Sequence, residues 1–192
     1  TDTVTLNGSV TADELIDFSG AADVDLAAGA GTFDTDAGAD GNILLNGGDV
    51  DGAQAVAISA GTGNVSLADM GQNTTVTSLT VSTAGNTNLQ GDITTSTGAI
   101  DLQADGIVLQ NNVTLTSTDS NIALNDLTGG GYDLTLAADV DESTAGTASL
   151  DTVSGVRNLT VNAGQGVTLN EAISATGAVT VVANDNADAD DE

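Results

Sequence analysis

Apolar residues along this chain come in short alternating pairs, not in long runs. An apolar-x-apolar doublet recurs as Val65-x-Leu67, Ile100-x-Leu102, Ile107-x-Leu109, Val113-x-Leu115, Ile122-x-Leu124, Leu134-x-Leu136 and Val167-x-Leu169. Alternation over so few residues is the period-two signal of a short strand with one buried face. The doublets return about every 7 to 14 residues, with Gly, Asn, Asp and Ser between them. Those residues form turns. Apolar spacings of three and four are absent outside Ala12 to Phe18, so the pattern predicts strands throughout and no helix. Abundant Thr and Val point the same way.

A longer similarity overlies the doublets. Val4-Thr5-Leu6-Asn7-Gly8-Ser9-Val10-Thr11-Ala12 returns as Thr87-Asn88-Leu89-Gln90-Gly91-Asp92-Ile93-Thr94-Thr95 and as Val167-Thr168-Leu169-Asn170-Glu171-Ala172-Ile173-Ser174-Ala175. The offset is about 80 residues. The expected organisation is one continuous unit over 1–183, in repeats of approximately 1–86, 87–166 and a partial 167–183, followed by an acidic tail or linker over 184–192. On this alignment Val4 and Leu6 should continue the rows of Val167 and Leu169, so that copies of the chain, or flanking repeats of a longer one, stack head to tail.

Two all-β architectures accommodate short strands at this spacing. One is a parallel β-helix (β-solenoid), in which each strand stacks on its equivalent in the next coil. The other is a string of tandem Ig-like β-sandwiches. Composition favours the solenoid. Phe18, Phe33 and Tyr132 are the only rings, so the interior must be filled by Ala, Val, Leu and Ile, which suits a narrow core repeated many times. Solenoids also absorb length variation as outward loops, because each coil touches only its neighbours. Coils of about 20 residues would give nine or ten of them.

Charge narrows the chemistry. The net charge is -27, with 28 Asp+Glu and one Lys+Arg, Arg157. A nucleic-acid groove or an anionic membrane surface needs many cations, so neither is expected as a partner. There is no run of 18 apolar residues to insert into a membrane. The chain has no His and no Cys, which removes imidazole and thiolate metal sites, disulfides, and nucleophile systems built on His. Carboxylate pairs can hydrolyse glycosides. However, an acidic sugar would lack cations here and a neutral one would lack aromatic platforms, so an enzyme is not expected. The chain has no initial Met and no charged-then-apolar leader, which suggests a processed product or a piece of something longer.

The run from Gly98 to Thr118, continued by Asn121-Ile122-x-Leu124 and Leu134-Thr135-Leu136, resembles the repeats of filamentous-haemagglutinin-like β-strand-repeat proteins, the large secreted bacterial surface adhesins. The resemblance covers most of the chain, best from about 79 to 183. It implies a right-handed parallel β-helix, export to the cell surface, and a role in adhesion or surface structure. The family has no catalytic residues to carry over.

The densest local oxygen cluster is Asp34-x-Asp36-x-Gly38-x-Asp40-Gly41-Asn42. Calcium takes several carboxylate and carbonyl oxygens from one tight loop, so Asp34, Asp36 and Asp40 are the candidate Ca2+ ligands. The EF-hand spacing is not met, and acidic turn residues in an acidic chain are commonly just solvated. Asp49-x-Asp51-Gly52 is a second, weaker cluster. No other cofactor is indicated. The Thr runs at Thr74-Thr75-x-Thr77 and Thr94-Thr95-x-Thr97 do not share one phase, and strand propensity accounts for them. Asn7, Asn64, Asn73, Asn112 and Asn158 open Asn-x-Ser/Thr sequons. The expectation is a non-enzymatic structural segment of an extracellular fibre or adhesin stalk. The alternative is a surface module that binds calcium or host or matrix glycans.

Overall fold

The computed structural model describes residues 2–140 and 146–183; the acidic tail expected over 184–192 lies outside them. The described chain is a parallel β-solenoid of about eight turns, without a helix. Every strand pair in it is parallel, which excludes the Ig-like alternative, whose sheets are antiparallel.

Three faces run along the axis, and each is a stack of short strands in register. On the first face an inward row passes through Val4, Val24, Val50, Met70, Ile93, Leu115, Leu136, Val161 and Val181. On the second it passes through Val10, Phe33, Ile58, Val81, Leu102, Leu124, Leu150 and Leu169. On the third it passes through Ile16, Ile43, Val65, Thr87, Ile107, Leu127, Val153 and Ile173. Strands Ser78–Leu89 and Ile100–Leu109 each span the corner between the second and third faces, with a register shift between Thr83 and Asn86. At one strand spacing per coil, eight steps make a rod roughly 40 Å long.

The doublets fill the interior. Val65, Leu67, Ile100, Leu102, Ile107, Leu109, Val113, Leu115, Ile122, Leu124, Leu134 and Leu136 are all buried. Outward positions alternate with them, as the period-two pattern requires. The two Phe rings meet edge to face near one end, centroids 6.1 Å apart.

The coils are mostly longer and less uniform than 20 residues: they run from 19 to 27, and 22 is a frequent offset between bonded partners. The 80-residue similarity is therefore not a whole number of coils. The register corrects the expectation for Val4 and Leu6. Val4 shares its row with Val161 and Val181, whereas Val167 and Leu169 pair with Ala148 and Leu150 on the second face. Strands on different faces look alike in sequence because each solves the same packing problem.

What closes the corners is a backbone and side-chain device repeated from coil to coil. Asn42 Oδ1 accepts the Asn64 N–H at 2.8 Å, and Asn64 Oδ1 accepts the Asn86 N–H at 2.9 Å. A second column runs from Asn112 to Asp133, Asn158 and Ala178, each oxygen taking the N–H of the next coil. Beside the first column, Gly41, Gly63 and Gly85 let the backbones touch. A Cβ at Gly41 would lie 1.1 Å from the Glu14 carbonyl oxygen, and one at Gly63 would lie 2.2 Å from that of Gly41. Buried hydroxyls finish the turns: Thr35 Oγ1 donates to Gly41 O at 2.6 Å and Thr83 Oγ1 donates to Gly63 O.

Thr87 breaks this rule. It is fully buried in the apolar row of the third face, and its hydroxyl has no partner. An unsatisfied buried hydroxyl costs on the order of 1–3 kcal/mol. Thr87→Val keeps the shape and removes the orphan, so it should stabilise the rod by about 1–2 kcal/mol. Urea unfolding would measure this. An unchanged or lower midpoint would mean that the hydroxyl is satisfied in solution.

Candidate functional site

Side-chain chemistry on the surface is set by the rows. On the first face the outward position just before each inward residue reads Thr3, Asp23, Asp49, Asp69, Asp92, Thr114, Thr135, Thr160 and Thr180. Four carboxylates in line give way to four threonines in line. Composition does not reveal this ordering, because it emerges only when the coil length is known. The threonine row is single: the next outward positions are Thr116, Ala137, Asn162 and Val182.

The structure brings the predicted calcium ligands to the corner between the second and third faces but does not point all three at one spot. Asp34 Oδ1 accepts the Asp36 N–H at 2.9 Å, a local turn. Asp36 and Asp40 converge over Gly61, where an added Cβ would meet Asp40 Oδ1 at 2.5 Å and Asp36 Oδ1 at 2.8 Å. They also accept hydroxyls from the next coil, Ser59 to Asp36 and Thr62 to Asp40. Asp40 holds a φ of 55°, which explains the tight turn into Gly41. Among the described residues, no group of three or more carboxylates is arranged to hold a metal ion.

The weaker cluster is the more unusual one. Asp23 pairs with Asp49 and Asp25 with Asp51 on adjacent coils, flanking buried Val24 and Val50. Asp51 is 6% exposed. Its Oδ1 accepts the N–H groups of Asn73 and Thr74, and its Oδ2 accepts the Asn73 amide. Burial opposes ionisation of Asp51, but the Thr74 and Asn73 donors outweigh it and hold its carboxyl below the usual range. Asp49 receives the Asn73 amide at 3.1 Å on Oδ2, and a hydrogen bond from the Gln72 backbone favours its ionised form; its Oδ1 is buried without a partner. Burial, then the neighbouring Asp51 charge, push it up to about 6.

An open cavity of about 260 Å³ lies at the corner between the second and third faces. Ala104, Asp105, Asn125, Asp126, Asp151 and Glu171 line it. Donors on adjacent coils engage three of its four carboxylates: Asp126 accepts the Thr152 N–H, Asp151 the Asn170 amide, and Glu171 the Thr152 hydroxyl.

Arg157 pairs with Asp133 through two nitrogens, Nε to Oδ1 at 2.8 Å and NH2 to Oδ2. The Arg157 hydrogen bond foremost, with Asn158, holds the Asp133 carboxyl at about 2. Asp133 also belongs to the corner column, a role that its neighbours in the chain do not signal. The sequons at Asn64, Asn112 and Asn158 are likewise corner residues, and Asn73 braces the Asp49–Asp51 pair. The signal that could have revealed part of this is Gly-Asn at 41–42, 63–64 and 85–86, a 22-residue spacing.

No protein-family model, curated protein or solved structure matches the chain.

Asp133 and Arg157 separate two roles. Asp133→Ala removes both the ion pair and the acceptor for the Asn158 N–H, whereas Arg157→Ala removes an exposed ion pair and a long 3.5 Å contact to Asn112, which are worth little in water. The denaturation midpoint should fall further for Asp133→Ala. The Asp133 contribution is present above the ordinary carboxylate range and is lost as pH falls toward 2, because its folded value lies below its unfolded one. Equal midpoints for the two variants would discount the corner role.

Proposed function

We propose that the chain is a non-enzymatic structural segment of an extracellular fibre or adhesin stalk of the filamentous-haemagglutinin-like kind. The supporting observation is the axial ladder. Each of three faces carries an inward row from the first coil to the last, narrowing on the first face to single bridges at Met70, so axial pull is shared by backbone hydrogen bonds on every coil. Chemistry at the surface is dispersed along the axis in rows. The last coil presents the inward residues Leu169, Val179 and Val181, each at least 42% exposed, in the register that a further coil would cover. Head-to-tail stacking of a second copy would set Val4 on Val181 and Val10 on Leu169.

Sedimentation across concentration in about 0.5 M salt, which shortens the Debye length and relieves the repulsion of a -27 chain, tests the self-assembly. The wild type should form elongated species that grow with concentration, and Val181→Lys should stay monomeric. A wild type monomeric at every concentration removes self-stacking from the proposal.

The second reading is a surface module holding calcium, favoured by the convergence of Asp36 and Asp40 over Gly61. Thermal melts with calcium and with chelator should differ by several degrees if this corner binds the ion, and Asp36→Asn with Asp40→Asn should abolish the difference. Coincident melts reject it.

A further inference from the structure

We propose that the Asp49–Asp51 pair is a proton-operated latch: one proton held between the two carboxyls keeps the third coil closed on the fourth, and its loss at neutral pH loosens that corner. The latch stands first on geometry. The Asn73 side-chain nitrogen lies 3.1 Å from Asp49 Oδ2 and 2.9 Å from Asp51 Oδ2, which sets the two carboxyls side by side. Asp51 is furnished with two backbone donors and is the member suited to carry charge. The buried Oδ1 of Asp49 has no donor facing it.

Around the pair carboxylates outweigh donors: the Gln72 backbone favours ionisation of Asp49, and the Asp51 and Asp69 charges oppose it. The preceding strand, Asp23–Leu26, faces it with Asp23 and Asp25. The following coil brings Asp69, on the same outward row, with Asp92 beyond it. Asp69 and Asp92 each turn an oxygen to the next coil, toward the N–H of Asp92 and of Thr114. The one cation, Arg157, is engaged by Asp133 several coils away.

The folded value of Asp49 lies near 6, above the unfolded 3.8, and this fixes the sign of the effect. The closed coil gains stability from the proton below the unfolded value and loses it as pH rises through 6. Between pH 5 and 7 the local opening equilibrium should rise about ten-fold.

Amide hydrogen exchange read by NMR at the two pH values, corrected for intrinsic rates, tests this on the whole chain. Protection at Val50, Asn73 and Thr74 should fall about ten-fold from pH 5 to pH 7, while Thr160 and Val161 on distant coils should not change. Asp49→Asn, which cannot ionise, should keep protection high at both pH values. Should that variant fail to fold, the side-chain carboxyl carbons of the wild type decide the matter. An Asp49 carbon titrating near neutrality supports the latch. One titrating with the exposed aspartates, or equal protection at both pH values, overturns it.

Discussion

The fold depends on axial register: each coil lays its strands on those of the previous one with like positions superposed. Parallel pairing on three faces satisfies the backbone, but each corner leaves N–H groups that no strand can serve. The chain supplies them with an Asn or Asp oxygen from the coil below, as at Asn42, Asn64, Asn112, Asp133 and Asn158. A buried N–H without an acceptor costs as much as a lost hydrogen bond, so these side chains fix where each turn begins. The glycine column at 41, 63 and 85 follows from the same stacking, because a side chain there would occupy the carbonyl of the coil below.

Superposition makes no distinction between apolar and charged residues. The register that stacks Val24 on Val50 also stacks Asp23 on Asp49 and Asp25 on Asp51, at a strand spacing of roughly 4.8 Å. Like charges at that distance repel appreciably wherever water is thin. The chain relieves Asp51, Asp69 and Asp92 by aiming a carboxylate oxygen at the next coil's N–H groups, so one residue serves a corner and disperses a charge. Asp49 is where this solution falls short: the Gln72 backbone donates to it, but the Asn73 and Thr74 N–H groups serve Asp51, and Asp49 Oδ1 stays buried without a partner.

The short doublets revealed the strands and their buried faces, because alternation is a local property and each strand needs only its own residues to declare it. The solenoid was legible through what the sequence lacks, since a core without large rings cannot fill a thick sandwich. The coil boundaries were not. Val4–Ala12 and Val167–Ala175 look equivalent, yet Val4 lies on the first face and Val167 on the second. All three faces impose the same apolar alternation, so strand sequence does not encode face. The corners do, and the Gly-Asn spacing of 22 carries that information. Of the candidate site, Asp34, Asp36 and Asp40 were found by density along the chain, which detects neighbours in one turn. The same density picked out Asp49-x-Asp51 as a weaker cluster, but that Asp23 and Asp25 stack upon it is set by register, which no local window sees.

A surface written in rows has consequences for how charge is distributed along the rod. On the first face the aspartate row occupies the earlier coils and the threonine row the later ones. The sole cation also lies in the later half, already paired with Asp133. Repulsion on this face is therefore concentrated in the coils from Asp23 to Asp92, while the threonine coils carry none of it. Apolar packing along the inward rows is nearly even from Val24 to Val161, so it cannot explain any difference in cohesion between the two halves. On this face stacked aspartates are what set the early coils apart, while in the later half the charge-dependent closure is that of Asp133 at its corner.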